Sequence, residues 1–297
     1  MTNIITKIEQ VKDFIPVSST TNFNNISPFL DDAIEKYLLP FLGQDLIDLI
    51  DTTEPDEERL TKINELLKYV RKPLGRFALL MGVDQLDLKF TDSGFVVMHN
   101  QNLTPASPER VKKYRESLEQ SAWDGIESLL RHLEKNAEDF DEWEESEAHP
   151  TNWKTFIRSA NEFQKFVDIK HSRVTFFKWR TTIENIELLK VEPAISKAQA
   201  DLIREEIADE DISPEVELIL PYIKRAIANF TAAEMMPDNA LRFDNLGNHY
   251  LTKAIQVMDA APDDYPDYIS STSYNADKTT YNTFENLEDN TLFVFGG

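Results

Sequence analysis

Residues 88–97 read LKFTDSGFVV, and residues 241–250 read LRFDNLGNHY. Each stretch runs Leu, a basic residue and Phe into a short turn-like segment that ends on a glycine, Gly94 or Gly247. In the first, LDLKF and FVVMH read as two short strands on either side of the turn TDSG. A glycine there supplies the positive φ that a tight hairpin turn requires. By likeness, the second stretch is expected to be a hairpin corner of the same kind.

The likeness extends well beyond ten residues. A shift of 153 positions, which carries Gly94 onto Gly247, needs no gap from Phe23 to Gly94. It places Phe23 on Phe176, Pro40 on Pro193, Asp48-Leu49-Ile50 on Asp201-Leu202-Ile203, and Tyr69 on Tyr222. Phe77 falls on Phe230 and Phe90 on Phe243. About a dozen identities occur in about 72 positions. The apolar exchanges Ile63/Val216, Leu66/Ile219, Val70/Ile223 and Leu74/Ile227 keep one helix face apolar in both copies. Helical period alone does not align glycine, proline and aromatic positions at a single offset. The expected architecture is mainly α: two tandem related helical units, each with a small β-hairpin, a long connecting helix, and an extended C-terminal tail.

Local patterns fill in this outline. Lys7–Phe14 has helical spacing, and Ile15–Asn24 is extended and broken by Pro16. Pro28 opens a helix striped with Leu30, Ala33, Ile34, Tyr37 and Leu38, which Pro40 and Gly43 stop. Glu58–Met81 is a long amphipathic helix in which Pro73 is a candidate kink. Ser107 and Pro108 form the cap and first turn of another long helix reaching Asn136. Trp153–Val167 reads as a helix as well. These readings give four parts: a helical unit with its hairpin over 1–105, a long linking helix and acidic loop over 106–150, a second related unit over 151–258, and a polar tail over 259–297. The tail ends TLFVFGG, and its LFVF is apolar and β-prone enough to add a strand to this chain's own sheet or to another subunit.

Composition narrows the possible functions. The chain has 297 residues and a formal net charge of −22, from 53 acidic and 31 basic side chains. That balance opposes tight binding to free nucleic acid or anionic membranes, and is compatible with a protein that surrounds DNA without gripping it. There are no cysteines, so disulfides, thiolate nucleophiles and Cys-ligated zinc are excluded. The N-terminus lacks the apolar core of a secretory signal, and no window approaches a membrane span. A cytoplasmic origin is expected.

No reaction centre can be read. The five histidines, His99, His132, His149, His171 and His249, include no i, i+4 pair. Phosphate-binding loops and nucleophile elbows are missing from the sequence. The acidic runs DTTEPDEE and EDFDEWEESE lack the glycine of a calcium loop and read as solvated charge. No cofactor and no metal is expected. RVTFFKW (173–179) mixes basic and aromatic residues as single-strand binders do, but it reads as packing. Trp143, Trp153, Trp179 and nearby phenylalanines form a core or an interface. The candidate interface residues are Trp143, Trp153, Leu292, Phe293, Val294 and Phe295.

The segment IPVSSTTNFNNISPFLDDAIEKYLLPFLG, the hairpin residues Asp92, Gly94 and Val97, and the helix AWDGIESLLRHLE (122–134) carry a resemblance. The chain resembles a prophage-encoded family of Bacteroidetes that is in turn similar to the head–tail connector, or head-completion, proteins of tailed phages. The resemblance covers most of 5–170 and, through the repeat, part of 170–250. It implies a non-enzymatic virion protein of the neck, made in the host cytoplasm. Such proteins form a ring, commonly dodecameric, that binds the portal protein and tail or other neck proteins. DNA passes through the channel without specific binding, and no membrane is involved. A single connector-type unit is about half as long as this chain, so duplication is a departure that bears on ring stoichiometry. The residues alone leave two other readings open: a non-enzymatic helical adaptor of a cellular pathway, and an acid- or metal-based hydrolase.

Overall fold

The computed structural model describes residues 2–15, 22–52, 57–83, 88–91, 94–97 and 107–274. The protein is mainly α and divides into two compact units. The first is Met1–Trp153 with Ser172–Phe177, and the second is Lys154–His171 with Lys178–Gly297.

In the first unit a non-helical start, Thr2–Ile5, leads to the short helix Glu9–Lys12. Leu30–Ala33 then opens a helix that loosens into a π turn at Ile34–Leu38 and tightens again at Leu39–Leu42. Pro40 explains the π turn. It has no N–H to donate, and its ring collides with the carbonyl of Lys36, four residues back. The chain widens, and Leu39 N–H bonds to Ile34 C=O, five residues back. Gly43 ends the segment at φ 77° and ψ 162°, a region that glycine enters without a side-chain penalty.

Three longer helices follow: α1 (Gln44–Asp51), α2 (Glu57–Gly82) and α3 (Pro108–Lys135). Ser107 Oγ accepts the Arg110 N–H and caps α3. The α2 stripe Ile63, Leu66, Val70, Leu74 and Phe77 is buried against Ala122, Ile126, Leu129 and Leu133 of α3. Each such side chain contributes about 1.5–3 kcal/mol on leaving water. Pro73 sits inside α2, and a Cβ on Gly125 of α3 would lie 3.1 Å from its ring. Gly125 therefore lets the α3 backbone rest on the proline. Between α2 and α3 lie β1 (Leu88–Thr91) and β2 (Gly94–Val97), paired antiparallel with Phe90 opposite Phe95. The helix from Ser107 is thus part of the first unit rather than a separate linker.

In the second unit, residues 154–159 are non-helical and only Ala160–Gln164 forms a helix, so Trp153–Val167 is not one helix as expected. Ser159 accepts the Glu162 N–H and starts the helix late. After α4 (Arg173–Ile186), whose residues up to Phe177 belong to the first unit, a second π turn, Glu187–Val191, precedes Pro193. Its Glu192 N–H bonds to Glu187 C=O, the same five-residue step, and Ser196 follows at φ 73° and ψ 153°. Next come α5 (Lys197–Asp209), α6 (Pro214–Met235) and α7 (Ala240–Ala260).

The second expected hairpin is overturned. Leu241–Tyr250 lies wholly inside α7, which packs along α6. Gly247 is helical, and a Cβ there would come within 2.6 Å of the Phe230 ring. Its glycine serves close helix packing and makes no turn. The polar tail expected from 259 is also corrected in its first part. Tyr265 and Tyr268 are buried, their hydroxyls donating to Glu215 C=O at 2.8 Å and Asp259 Oδ1 at 2.7 Å. Thr272 N–H reaches Pro193 C=O at 2.9 Å. Aromatic rings with satisfied hydroxyls can be buried even in a polar stretch.

Candidate functional site

A group of buried and half-buried charges lies in the second unit, at the corner between the π turn and α5. Glu187 projects from the π turn and is 1% exposed. Its Oε1 accepts the backbone N–H of Phe156 at 2.8 Å, holding the non-helical segment that precedes Ser159. Its Oε2 accepts from Arg204 Nη2 at 3.2 Å. Arg204 comes from α5 and is shared: Nη2 also lies 2.7 Å from Glu192 Oε1, and Nη1 lies 3.1 Å from Asp201 Oδ1. Its guanidinium sits over the Phe156 ring, 5.0 Å from the centroid. Lys197 Nζ closes the group at 2.5 Å from Asp201 Oδ2. Arg158 donates to the carbonyls of Arg204 and Ile207, both at 3.3 Å, and so satisfies the end of α5.

Burial pushes the Glu187 carboxyl up to about 7, against the opposing pull of Phe156 N–H and Arg204. Burial also disfavours the Arg204 charge, but Glu192 and Glu187 outweigh it and raise the guanidinium further. The arrangement is a closed ionic clamp with one carboxyl that holds a proton near neutral pH. With Glu187 and Phe156 both buried, it works on the protein's own backbone.

The corresponding corner of the first unit, between its π turn and α1, is an open cleft of about 410 Å³. Asp31, Glu35, Asp48 and Asp51 line it together with the apolar Ile34, Leu39 and Ile47. Thr2 forms one edge. Its N–H donates to Asp31 Oδ1 at 2.9 Å and its hydroxyl to Asp51 Oδ1 at 2.6 Å. Asn3 N–H also reaches Asp51 Oδ1, at 2.6 Å. Among the described residues, no group of three or more His, Asp or Glu stands close enough to hold a metal ion.

The residues singled out in the sequence fall elsewhere. Trp143 and Trp153 are each 1% exposed in the chain itself, which corrects their assignment to an interface: they have no area left to offer a partner. Trp143 Nε1–H donates to Phe41 C=O at 3.0 Å, and Trp153 stacks on Phe176 at 5.2 Å. Leu292, Phe293, Val294 and Phe295 lie outside the described residues. In the RVTFFKW stretch, Arg173 is bound by Glu127 and Glu134, and Phe177 packs on Phe41. The acidic run 138–147 is tied to α2: Arg59 donates twice to Glu142, at 2.6 and 2.8 Å, and Lys62 pairs with Asp139 at 2.7 Å.

Sequence reasoning missed Glu187 and Arg204. One signal was present. Glu187 stands four residues from both Ile183 and Val191, a charge set in an apolar helical stripe.

No curated protein sequence and no solved structure matches the chain. A family model described as a family of unknown function (DUF6712) matches residues 17–152 and 186–249. Since those segments make up more than half of the sequence, the chain belongs to the DUF6712 family.

Proposed function

We propose that the chain is a structural head–tail connector of a tailed phage, built from two related helical units. The observation that carries this reading is a corner that recurs at a spacing of 153 residues (Gly43 to Ser196). Each unit has a π turn, Ile34–Leu38 or Glu187–Val191, then Pro40 or Pro193. Each then has a residue at positive φ, Gly43 or Ser196, with nearly the same ψ, and a helix that begins at the next residue. The backbone N–H groups of Asn3 and Phe156, also 153 residues apart, are each held by a carboxylate, but from different positions, Asp51 and Glu187. The matched family segment 186–249, moved back by the same interval, falls inside the segment 17–152. Duplication accounts for a chain twice the length of one connector unit.

Its role is mechanical. Copies assemble in a ring, dodecameric by the resemblance, that extends the portal channel and presents a surface for tail or other neck proteins. Leu188, Leu189, Leu218 and Leu241 of the second unit are exposed and supply apolar area for such contacts. The charge of −22 lets DNA slide past without being gripped. No catalytic role is assigned, and the place of action is the virion neck after synthesis in the host cytoplasm.

Light scattering on the full chain, alone and with portal protein, together with electron microscopy of particles, tests this reading. A ring that occupies neck density supports it. A persistent monomer absent from particles overturns it, and recovery with a cellular, non-virion complex would favour the adaptor reading instead.

A further inference from the structure

We infer that Leu188 and Leu189, on the π turn of the second unit, receive the apolar C-terminal segment Leu292–Phe295 of the same chain. The inference does not rest on the neck reading.

The two leucines face solvent where polar residues would serve the fold as well. They are 56% and 69% exposed, side by side on a turn whose ends, Glu187 and Val191, are buried. At the interval that relates Gly43 to Ser196, the first unit has Glu35 and Lys36 at these positions, both exposed. A π turn of this kind therefore folds with charged residues there, and its backbone does not call for leucine. Adjacent apolar side chains left in water mark a surface that something covers.

The course of the chain points to what covers them. Leu189 precedes Pro193 by four residues, about one helical turn. The Pro193 carbonyl is where the described C-terminal stretch is fastened: it accepts the Thr272 N–H at 2.9 Å and the Thr272 hydroxyl at 2.7 Å. Nearby, the Ser196 hydroxyl donates to Asp267 C=O at 2.6 Å, and Tyr274 sets its ring against that of the buried Tyr268. The chain beyond Tyr274 thus leaves from the corner that carries the leucines. Residues 275–291 are rich in Asn and Thr, and Leu292, Phe293, Val294 and Phe295 follow them. At full extension that tether reaches about 55 Å, so docking one turn away from Pro193 puts no strain on it. A flexible tether also holds its end at millimolar effective concentration, and burial of a few apolar side chains is then enough to populate the docked state. Leucines and tail occur together in the second unit. The first unit has charges at the turn and runs on into α3 instead. Leu218 and Leu241 are not engaged and stay open for contacts with other subunits.

The chain has no cysteine, so Gly297→Cys gives a single site for a nitroxide on the full chain. Nuclear magnetic resonance then reads paramagnetic broadening of the amide signals. Strong broadening is expected at Leu188, Leu189 and Lys190. Leu188→Glu with Leu189→Lys, which installs the first unit's residues at exposed positions, is expected to reduce it about fivefold or more. Phe293→Ser with Phe295→Ser, which changes no residue of the described fold, should act likewise. A mixture of isotope-labelled chain lacking the nitroxide with nitroxide-bearing chain at natural abundance reports contacts between copies. Broadening at Leu188 and Leu189 as strong in that mixture as in the single chain would assign the tail to a second copy and overturn the proposal. Amides that do not broaden, or broadening that either double variant leaves unchanged, would overturn it as well.

Discussion

Glu127 and Arg173 meet twice: Glu127 Oε2 accepts the Arg173 backbone N–H at 2.8 Å, and Oε1 accepts from its guanidinium at 3.1 Å. The same Oε2 takes the Val174 N–H at 3.2 Å, and Glu134 Oε2 binds the other end of the guanidinium at 2.6 Å. A carboxylate from α3 therefore sits on the N-terminus of α4, where orphan N–H groups and the helix dipole favour negative charge. Glu127→Ala is expected to cost about 2 kcal/mol, and Glu127→Gln about half that, because an acceptor remains. Urea unfolding measures the cost. Amide exchange at Arg173 and Val174 should accelerate in the alanine variant, and unchanged exchange there would count against the clamp.

The Glu187 carboxyl makes a pH dependence calculable. Its value in the folded chain, about 7, lies above the ordinary 4.5, because burial favours the neutral form. The fold therefore takes up a proton that the unfolded chain has released. This contribution is complete below about pH 4.5 and is lost as pH rises through about 7. The span corresponds to about 3 kcal/mol. Glu187→Gln keeps an acceptor for Phe156 N–H and cannot ionise. The stability of the wild type relative to this variant should fall between pH 4.5 and 8 and then level off, as read by denaturant midpoints across that range. A difference that stays flat would mean that Arg204 holds Glu187 ionised throughout.

Gly43 and Ser196 hold the same backbone angles by different means. Gly43 needs no compensation, but a Cβ there would lie 3.0 Å from Ser146 Cβ while φ stays at 77°. Gly43→Ala is expected to destabilise by about 2–3 kcal/mol. Ser196 is strained at φ 73°, and its hydroxyl compensates: it accepts the Gln199 N–H at 3.1 Å and donates to Asp267 C=O at 2.6 Å. Ser196→Ala keeps the strain and loses both bonds, costing about 2 kcal/mol, whereas Ser196→Gly loses the bonds but relieves the strain and costs less. Thermal unfolding of the three variants should give that order. An alanine at 196 as stable as glycine would contradict it.

What could be read in advance was what is local. The stripe Ile63–Phe77 and the Ser107-Pro108 cap depend on neighbours within a turn or two, so periodicity and cap chemistry expose them. The mainly helical class follows from such segments. The meaning of each glycine was not legible in the same way. Gly94 begins β2 and Gly247 lies in α7 after similar residues, because Phe230, distant in sequence, decides the second case. Tyr265 and Tyr268 read as part of a polar tail until the carbonyl and carboxylate that take their hydroxyls are known. The Glu187–Arg204 clamp also draws on the non-helical segment at Phe156, a pairing that no helical spacing encodes.

The contact between Gly247 and Phe230 separates a helix-packing glycine from a turn glycine. With a Cβ at Gly247 as close as 2.6 Å to the Phe230 ring, Gly247→Ala forces α7 away from α6 or rotates the ring, at an expected cost of about 1–3 kcal/mol. Lys190 Nζ lies over the same ring, 4.2 Å from its centroid, so a ring rotation also disturbs a cation–π contact. Phe230→Leu alone leaves space and is destabilising in its own right. Combined with Gly247→Ala, it should cost less than the sum of the two, because the smaller side chain admits the new methyl group. Urea unfolding of the wild type, both single variants and the double variant completes the cycle. A coupling of about 1 kcal/mol in the favourable direction is expected, and strict additivity would mean that the two residues do not meet.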